Sequence, residues 1–160
     1  MRALVVYDSF FGNTEQIARA IGNALASQAE VEVLRVGDVQ AGQLGGVGLL
    51  IVGSPTRGFR PSPATVRFLK SIPAGGLQGV RVAAFDTRIS MDEPKIPGFL
   101  RLMVRFFGYA AQPIADRLVK KGGQLAIPPE GFIVMESEGP LKEGELERAA
   151  AWAGQIMATL

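Results

Sequence analysis

Apolar runs recur along the chain, each closed by a polar loop, and most of these loops lead into a stretch with helical spacing. The first run, ALVVY at 3–7, predicts a strand. After it Ile17, Ile21 and Leu25 recur at helical intervals, so a helix is expected from Asn13 onward. Asn13 is the expected N-cap, with Gln16 in the position of a capping-box partner. VEVLRV, 31–36, alternates apolar and polar residues, as a half-buried edge strand does. GLLIVG, 48–53, is apolar throughout, which suits a central parallel strand covered on both faces.

The loop 54–63 carries Pro55, Pro61 and Pro63, and a helix is predicted over 64–71. A strand follows over 80–87. QPIADRLVKKGG, 112–123, predicts a helix with Pro113 in its first turn and Gly122 and Gly123 at its end. GFIVM, 131–135, is the last expected strand. The final helix, 143–158, places Leu146, Ala149, Ala150, Ala153 and Ile156 on one face, with Trp152 at core spacing. Residues 37–47 form a long connection with room for a short helix.

One segment is surplus to this alternation. PGFLRLMVRFFGY, 97–109, puts Phe99, Leu102, Met103 and Phe106 on one stripe, with Arg101 and Arg105 one turn apart. An amphipathic helix packed on the core is the expectation. A lid, or a basic contact surface, is the functional alternative.

Strands alternating with helices predict an α/β fold with a doubly wound parallel sheet. No repeat or linker marks a boundary, so a single domain over 1–160 is expected. In such sheets ligands bind beyond the carboxyl ends of the strands, where the strand order reverses. The loops 8–14, 54–61 and 86–97 all follow strands and converge on that edge.

Composition narrows the chemistry. The chain of 160 residues has no cysteine and no histidine. Thiolate nucleophiles, disulfides and metal-thiolate sites are excluded, and the usual general base is absent. Demanding chemistry would therefore rest on a bound cofactor. The pI of about 9.2 looks strongly basic, yet the net charge is only +2. With no group titrating near neutrality, a small basic excess moves the pI far up. No aromatic-basic interleaving occurs, so nucleic acid is not an expected partner. The apolar runs are too short to cross a bilayer and no cleavage signal follows the first, so a cytoplasmic protein without membrane contact is expected.

The first loop, Ser9, Phe10, Phe11, Gly12, Asn13 and Thr14, lies between a strand and a helix start. A helix N-terminus offers free amides and the positive end of the macrodipole. Gly12 permits close approach, and Ser9 and Thr14 add hydroxyls. Together these form a phosphate cradle without a cationic side chain. Neither a Walker loop nor a three-glycine dinucleotide fingerprint is present. A receiver domain would need an acidic residue where Gly53 and Ser54 stand. Asp8 beside the loop reads as a turn-forming contact.

The pattern S-x-x-G-N-T after V-V-Y resembles the phosphate loop of the flavodoxin-like family. GSPTRG, 53–58, is similar to the family's second flavin-binding loop, and the ending GPLKEGELERAAAWA resembles the tail of stand-alone flavodoxin domains. The resemblance spans nearly the whole chain. It implies a five-stranded parallel sheet of order 2-1-3-4-5 and FMN as a non-covalent cofactor. By position, it assigns residues 9–14 to the FMN phosphate. Ser54, Pro55, Thr56, Arg57, Gly58 and Phe59 would flank the ring, and Asp86, Thr87 and Arg88 would approach its pyrimidine edge. Phe59 can stack on the ring or anchor its loop.

Three departures accompany the resemblance. Phe11 stands where many members carry a hydroxyl. TRISMDEPKIPG, the third loop, has no aromatic to stack on a flavin. The chain also lacks the strong acidity of electron-shuttling members. The function implied is electron transfer between a reductase and an acceptor protein, the redox partner being unspecified. An NAD(P)H-dependent flavin or quinone reductase, or a flavodoxin-like oxidase, is the enzymatic alternative. A flavin-free interaction domain is the third.

Overall fold

The structure, a computed structural model, describes residues 1–90 and 97–160, without the side chains of 104–107. Strand β1 (Arg2–Tyr7) lies between β2 (Glu30–Arg35) and β3 (Leu49–Pro55), all parallel. Strand β4 (Arg81–Ile89) adds to β3 with Gly53 opposite Phe85. The fifth position is shared by two short strands, β5 (Gln124–Leu125) and β6 (Glu130–Val134), both parallel to β4. The expected order 2-1-3-4-5 is therefore the observed one. The fifth strand differs in being split. Pro128 and Pro129 lie in the gap, and proline has no N–H for a ladder.

Helices cover both faces. On one side α1 (Asn13–Leu25) and α5 (Glu145–Met157) bury Ile17, Ile21, Trp152 and Ile156 against Ala3, Val5 and Tyr7. On the other, α2 (Pro63–Ser71) and α4 (Ala111–Lys120) bury Phe68, Leu69, Ile114 and Leu118 against Leu4 and Val6. Successive residues of β1 thus enter opposite cores, which explains why the strand is apolar from Ala3 to Tyr7. The connection after β2 holds one 3-10 turn, Val36–Asp38. Among the described residues no helix is long and apolar enough to cross a membrane.

Two expectations change. The cap of α1 is Gly12, not Asn13. Gly12 has φ 91°, and no side chain caps the helix. The sharp exit from β1 needs the left-handed conformation that glycine adopts without a Cβ clash. Asn13 is the first helical residue, and its side-chain amide donates to the Glu138 carbonyl at 3.1 Å.

The second change concerns α3 (Gly98–Phe107). Its stripe was expected to pack on the core. Instead Phe99 is 67 % exposed, Leu102 51 % and Met103 37 %. The two cores are already closed by α1, α5, α2 and α4, so α3 has no sheet face left to cover. Phe106 and Arg105 lie outside the described side chains, and 91–96, where the third loop continues, lies outside the described residues.

At the first core's centre Phe85, Phe132 and Trp152 meet edge to face, with centroids 6.0–6.1 Å apart. Phe85 lies directly against the backbone of Gly53, where a Cβ would sit 2.0 Å from its ring. The ring is held on its other sides and cannot withdraw. Gly53→Ala is therefore expected to destabilise the fold by about 1–3 kcal/mol through overpacking. Urea unfolding followed by far-ultraviolet circular dichroism checks this, and an unchanged midpoint would refute the close-packing account.

Candidate functional site

The carboxyl ends of β1, β3, β4 and β6 border one cavity of about 350 Å³. The loop after β1 contributes Ser9, Phe10, Phe11, Asn13 and Thr14. The loop after β3 contributes Pro55, Thr56, Arg57 and Gly58. The end of β4 adds Thr87, Arg88 and Ile89, and Val134 and Ser137 close the wall from β6.

The β1 loop is fixed by its neighbours. The Asp8 amide donates to Gly53 at 3.1 Å, and the Asp8 carboxylate accepts from the Ser9 amide at 2.9 Å. Arg35, at the end of β2, donates to the Ser9 carbonyl at 2.8 Å and stands 3.5 Å from Asp8. The Gly12 amide donates to the Ser9 hydroxyl at 3.0 Å. Beyond that, the first-turn amides of α1 have no intrahelical acceptor. Thr14 is buried, and its hydroxyl meets that of Thr87 at 2.8 Å. This pair joins the first loop to β4 and leaves one hydroxyl proton free to point elsewhere.

The β3 loop makes a tight turn in which Arg57 and Arg60 exchange backbone hydrogen bonds of 2.9 and 3.0 Å. Gly58 and Phe59 both have positive φ, 55° and 68°, as a two-residue hairpin turn with primed geometry requires. That conformation is rare for a bulky residue. Arg57 lies over the Phe10 ring, 4.8 Å from its centroid, and so links the first two loops.

Asp86 is fully buried and accepts three hydrogen bonds from two partners. Arg88 donates Nε and Nη2 to its two oxygens, each at 2.7 Å, and the Ala111 amide donates at 2.9 Å. Burial pushes the Asp86 carboxyl above its ordinary range, against the downward pull of the guanidinium and of the Ala111 amide. The guanidinium lies over Tyr109, 3.6 Å from the ring centroid. It also crosses Gly131 so closely that a Cβ there would sit 2.1 Å from it.

Eleven of the residues singled out from sequence therefore line one cavity: Ser9, Phe10, Phe11, Asn13, Thr14, Pro55, Thr56, Arg57, Gly58, Thr87 and Arg88. Four others are placed apart from its wall. Gly12 shapes the loop behind it. Ser54 is buried and accepts from the Ser62 amide at 2.9 Å. Asp86 points at Arg88 and Ala111. Phe59 faces a second concavity, which shares Gly58 with the first. Ile89, Val134, Ser137, Arg35 and Tyr109 were not singled out. Ile89 and Val134 were findable, because they end β4 and β6 at the sheet edge where the other loops meet.

The model of the family described as flavodoxin matches residues 5–152. The chain belongs to the flavodoxin family. Its fold matches a flavodoxin from the domain Archaea at 22% identity, with 99% of each chain covered and a TM-score of 0.75. It also matches oxidised flavodoxin 1 from Bacillus cereus, at 18% identity, covering 100% of this chain and 99% of that one, with a TM-score of 0.77. A third likeness is rubredoxin oxygen:oxidoreductase from Desulfovibrio gigas, at 20% identity and a TM-score of 0.74, covering 99% of this chain but 36% of the larger one. No curated protein sequence matches. Flavodoxins in general bind FMN and carry electrons.

The cavity of this flavodoxin fits such a ligand. Its described lining has no carboxylate and two arginines, so it accepts an anion without repulsion. Hydroxyls and helix amides supply donors for a phosphate, while Phe10, Phe11, Ile89 and Val134 supply apolar walls for a ring.

Gly131 gives a test of how Arg88 is held. In Gly131→Ala the guanidinium must leave its slot, stranding the Asp86 carboxylate in the core. Loss of one partner of a buried pair costs about 3–5 kcal/mol, and relief by water at the mouth reduces this to about 2–3 kcal/mol. Chemical unfolding of the variant measures it. A loss below about 0.5 kcal/mol, the scale of ordinary surface changes, would refute the anchoring role.

Proposed function

We propose that this flavodoxin binds FMN in the cavity at the strand ends and carries electrons between a reductase and an acceptor protein. The observation that carries the reading is the cavity's donor set: helix amides and hydroxyls at one loop, two arginines nearby, and no described carboxylate. FMN, when bound, supplies the reversible electron uptake that no side chain here provides. Ser9 and Thr14, with the first amides of α1, bind its phosphate. Phe10 and the turn at Arg57 and Gly58 border the ring, and Thr87 and Arg88 reach its polar edge. The described lining holds no histidine, cysteine, lysine, tyrosine or carboxylate to move a proton to or from a second substrate. That favours a carrier over a reductase or oxidase with its own substrate.

The phosphate assignment predicts that FMN binds and riboflavin binds much more weakly. Hydrogen bonds to a charged group contribute about 1.5–3 kcal/mol each, so losing several weakens binding by more than about tenfold. Quenching of flavin fluorescence on titration measures both affinities. Equal values would remove the phosphate from the reading.

A second expectation concerns the potential. Asp86 compensates Arg88, whereas Arg57 has no ion pair with a described residue and lines the cavity. A positive side chain favours the more negative, reduced cofactor. Arg57→Gln should therefore lower the one-electron midpoint by about 20–40 mV, after screening of a half-solvated charge. Spectroelectrochemistry reads the shift. An unchanged potential at low salt would mean that Arg57 acts only as a loop tie to Phe10.

A further inference from the structure

The second concavity, about 860 Å³, lies between the 57–60 turn, α2, α3 and α4. Arg60, Arg67, Lys70 and Arg117 stand around it, with Phe59 and Met103 as apolar contacts, and no carboxylate is among its described lining. None of these four cations forms an ion pair with a described residue. Elsewhere the pattern is the opposite. Arg2, Arg19, Arg35, Arg88 and Arg148 each pair with an aspartate or glutamate. A chain with 17 basic and 15 acidic residues has thus matched its charges over much of its surface and left a basic cluster here.

An exposed apolar surface continues from the cluster. Met103 lines the groove, and Leu102 and Phe99 of the same helix are more than half exposed. Arginine, methionine and phenylalanine side by side are the residue types enriched in protein–protein interfaces. The four cations at the rim would steer an acidic surface onto those apolar contacts. Gly58 borders both this groove and the cavity assigned to FMN. A partner seated here touches the turn that walls the cavity.

We propose that this groove is the docking surface for an acidic protein, which exchanges electrons with the chain. The role in electron exchange rests on the FMN reading above; the docking surface does not. The polarity of attraction follows from this chain alone: the cations are on its side, so the carboxylates must be on the partner's.

The test uses the full chain and, as probe, a fluorescein-labelled peptide of glutamates interrupted by phenylalanines. Fluorescence anisotropy gives its affinity for three proteins: the native chain, Arg67→Glu with Lys70→Glu, and Arg19→Glu with Lys142→Glu. The last pair removes the same charge from other sites. The expected result is binding by the native chain, weakened about tenfold or more by the groove pair and about twofold or less by the control pair, with the difference fading as salt rises. Equal losses in both variants would reduce the effect to net charge and overturn the proposal, as would no binding at all. Phosphatidylcholine–phosphatidylglycerol vesicles and ATP are titrated in parallel. If either binds in a groove-dependent way while the peptide does not, the occupant is a lipid surface or a small polyanion, and the proposal fails. FMN titration of the same proteins separates the two readings. Groove-dependent peptide binding without FMN binding would uphold the surface and refute its electron-transfer role.

Discussion

A single buried carboxylate organises the functional end of this molecule. Asp86 sits on the interior strand β4 and is fully buried, so its donors must come from the protein packed around it. Two come from Arg88 and one from the first amide of α4. The carboxylate therefore fixes where α4 begins and where the Arg88 guanidinium lies, and the space for that guanidinium exists only because β6 has glycine at 131. The opposite face repeats the device with Glu145. Burial raises that carboxyl, but Arg148 and the Ile133 amide outweigh it and hold it below its ordinary range. Glu145 accepts from Ile133 at 2.7 Å and so ties α5 to β6. One helix on each face, α4 and α5, is thus tied to the sheet through a buried acid with an arginine beside it.

The two arginines at the cavity consequently differ in kind. Arg88 is locked to a buried counter-charge and adds shape and hydrogen-bond donors more than net field. Arg57 has no ion pair with a described residue; it lies on a strained turn and touches an exposed ring, so its position depends on two loops at once. Sequence treats them alike because both are loop arginines near a predicted ligand. The distinction needs the partner two residues upstream of Arg88, and side-chain direction along a strand buried on both faces cannot be read from alternation.

Much of the fold was legible for the same reason that some of the site was not. Uniform apolar runs identified β1 and β3, and the alternation in 31–36 identified the edge strand, because burial on one or two faces writes itself directly into composition. The strand-end loops followed from the parallel sheet alone. Local signals misled where backbone geometry outranked side-chain preference, as at Gly12, whose left-handed turn displaced Asn13 from the cap. They misled again in α3. An apolar stripe says that a face will be covered, not by what, and the core had no vacancy for Phe99 or Leu102. Ser137 was invisible for a plainer reason: nothing in its own neighbourhood marks it, and only the register of β6 against β4 brings it to the cavity.

The split fifth strand has a bearing on how copies of this chain behave in solution. An outermost strand normally presents a row of unpaired amides and carbonyls, to which another chain can add. Here the border is two residues long at β5, broken by Pro128 and Pro129, and resumed for five residues at β6, where Ile133 already donates to Glu145 and accepts from the Lys142 amide. An incoming strand would find no continuous ladder to copy, and at the prolines no amide at all. The interruption makes this border of the sheet a poor template, so that β-type self-assembly is discouraged at the edge by backbone chemistry rather than by charge.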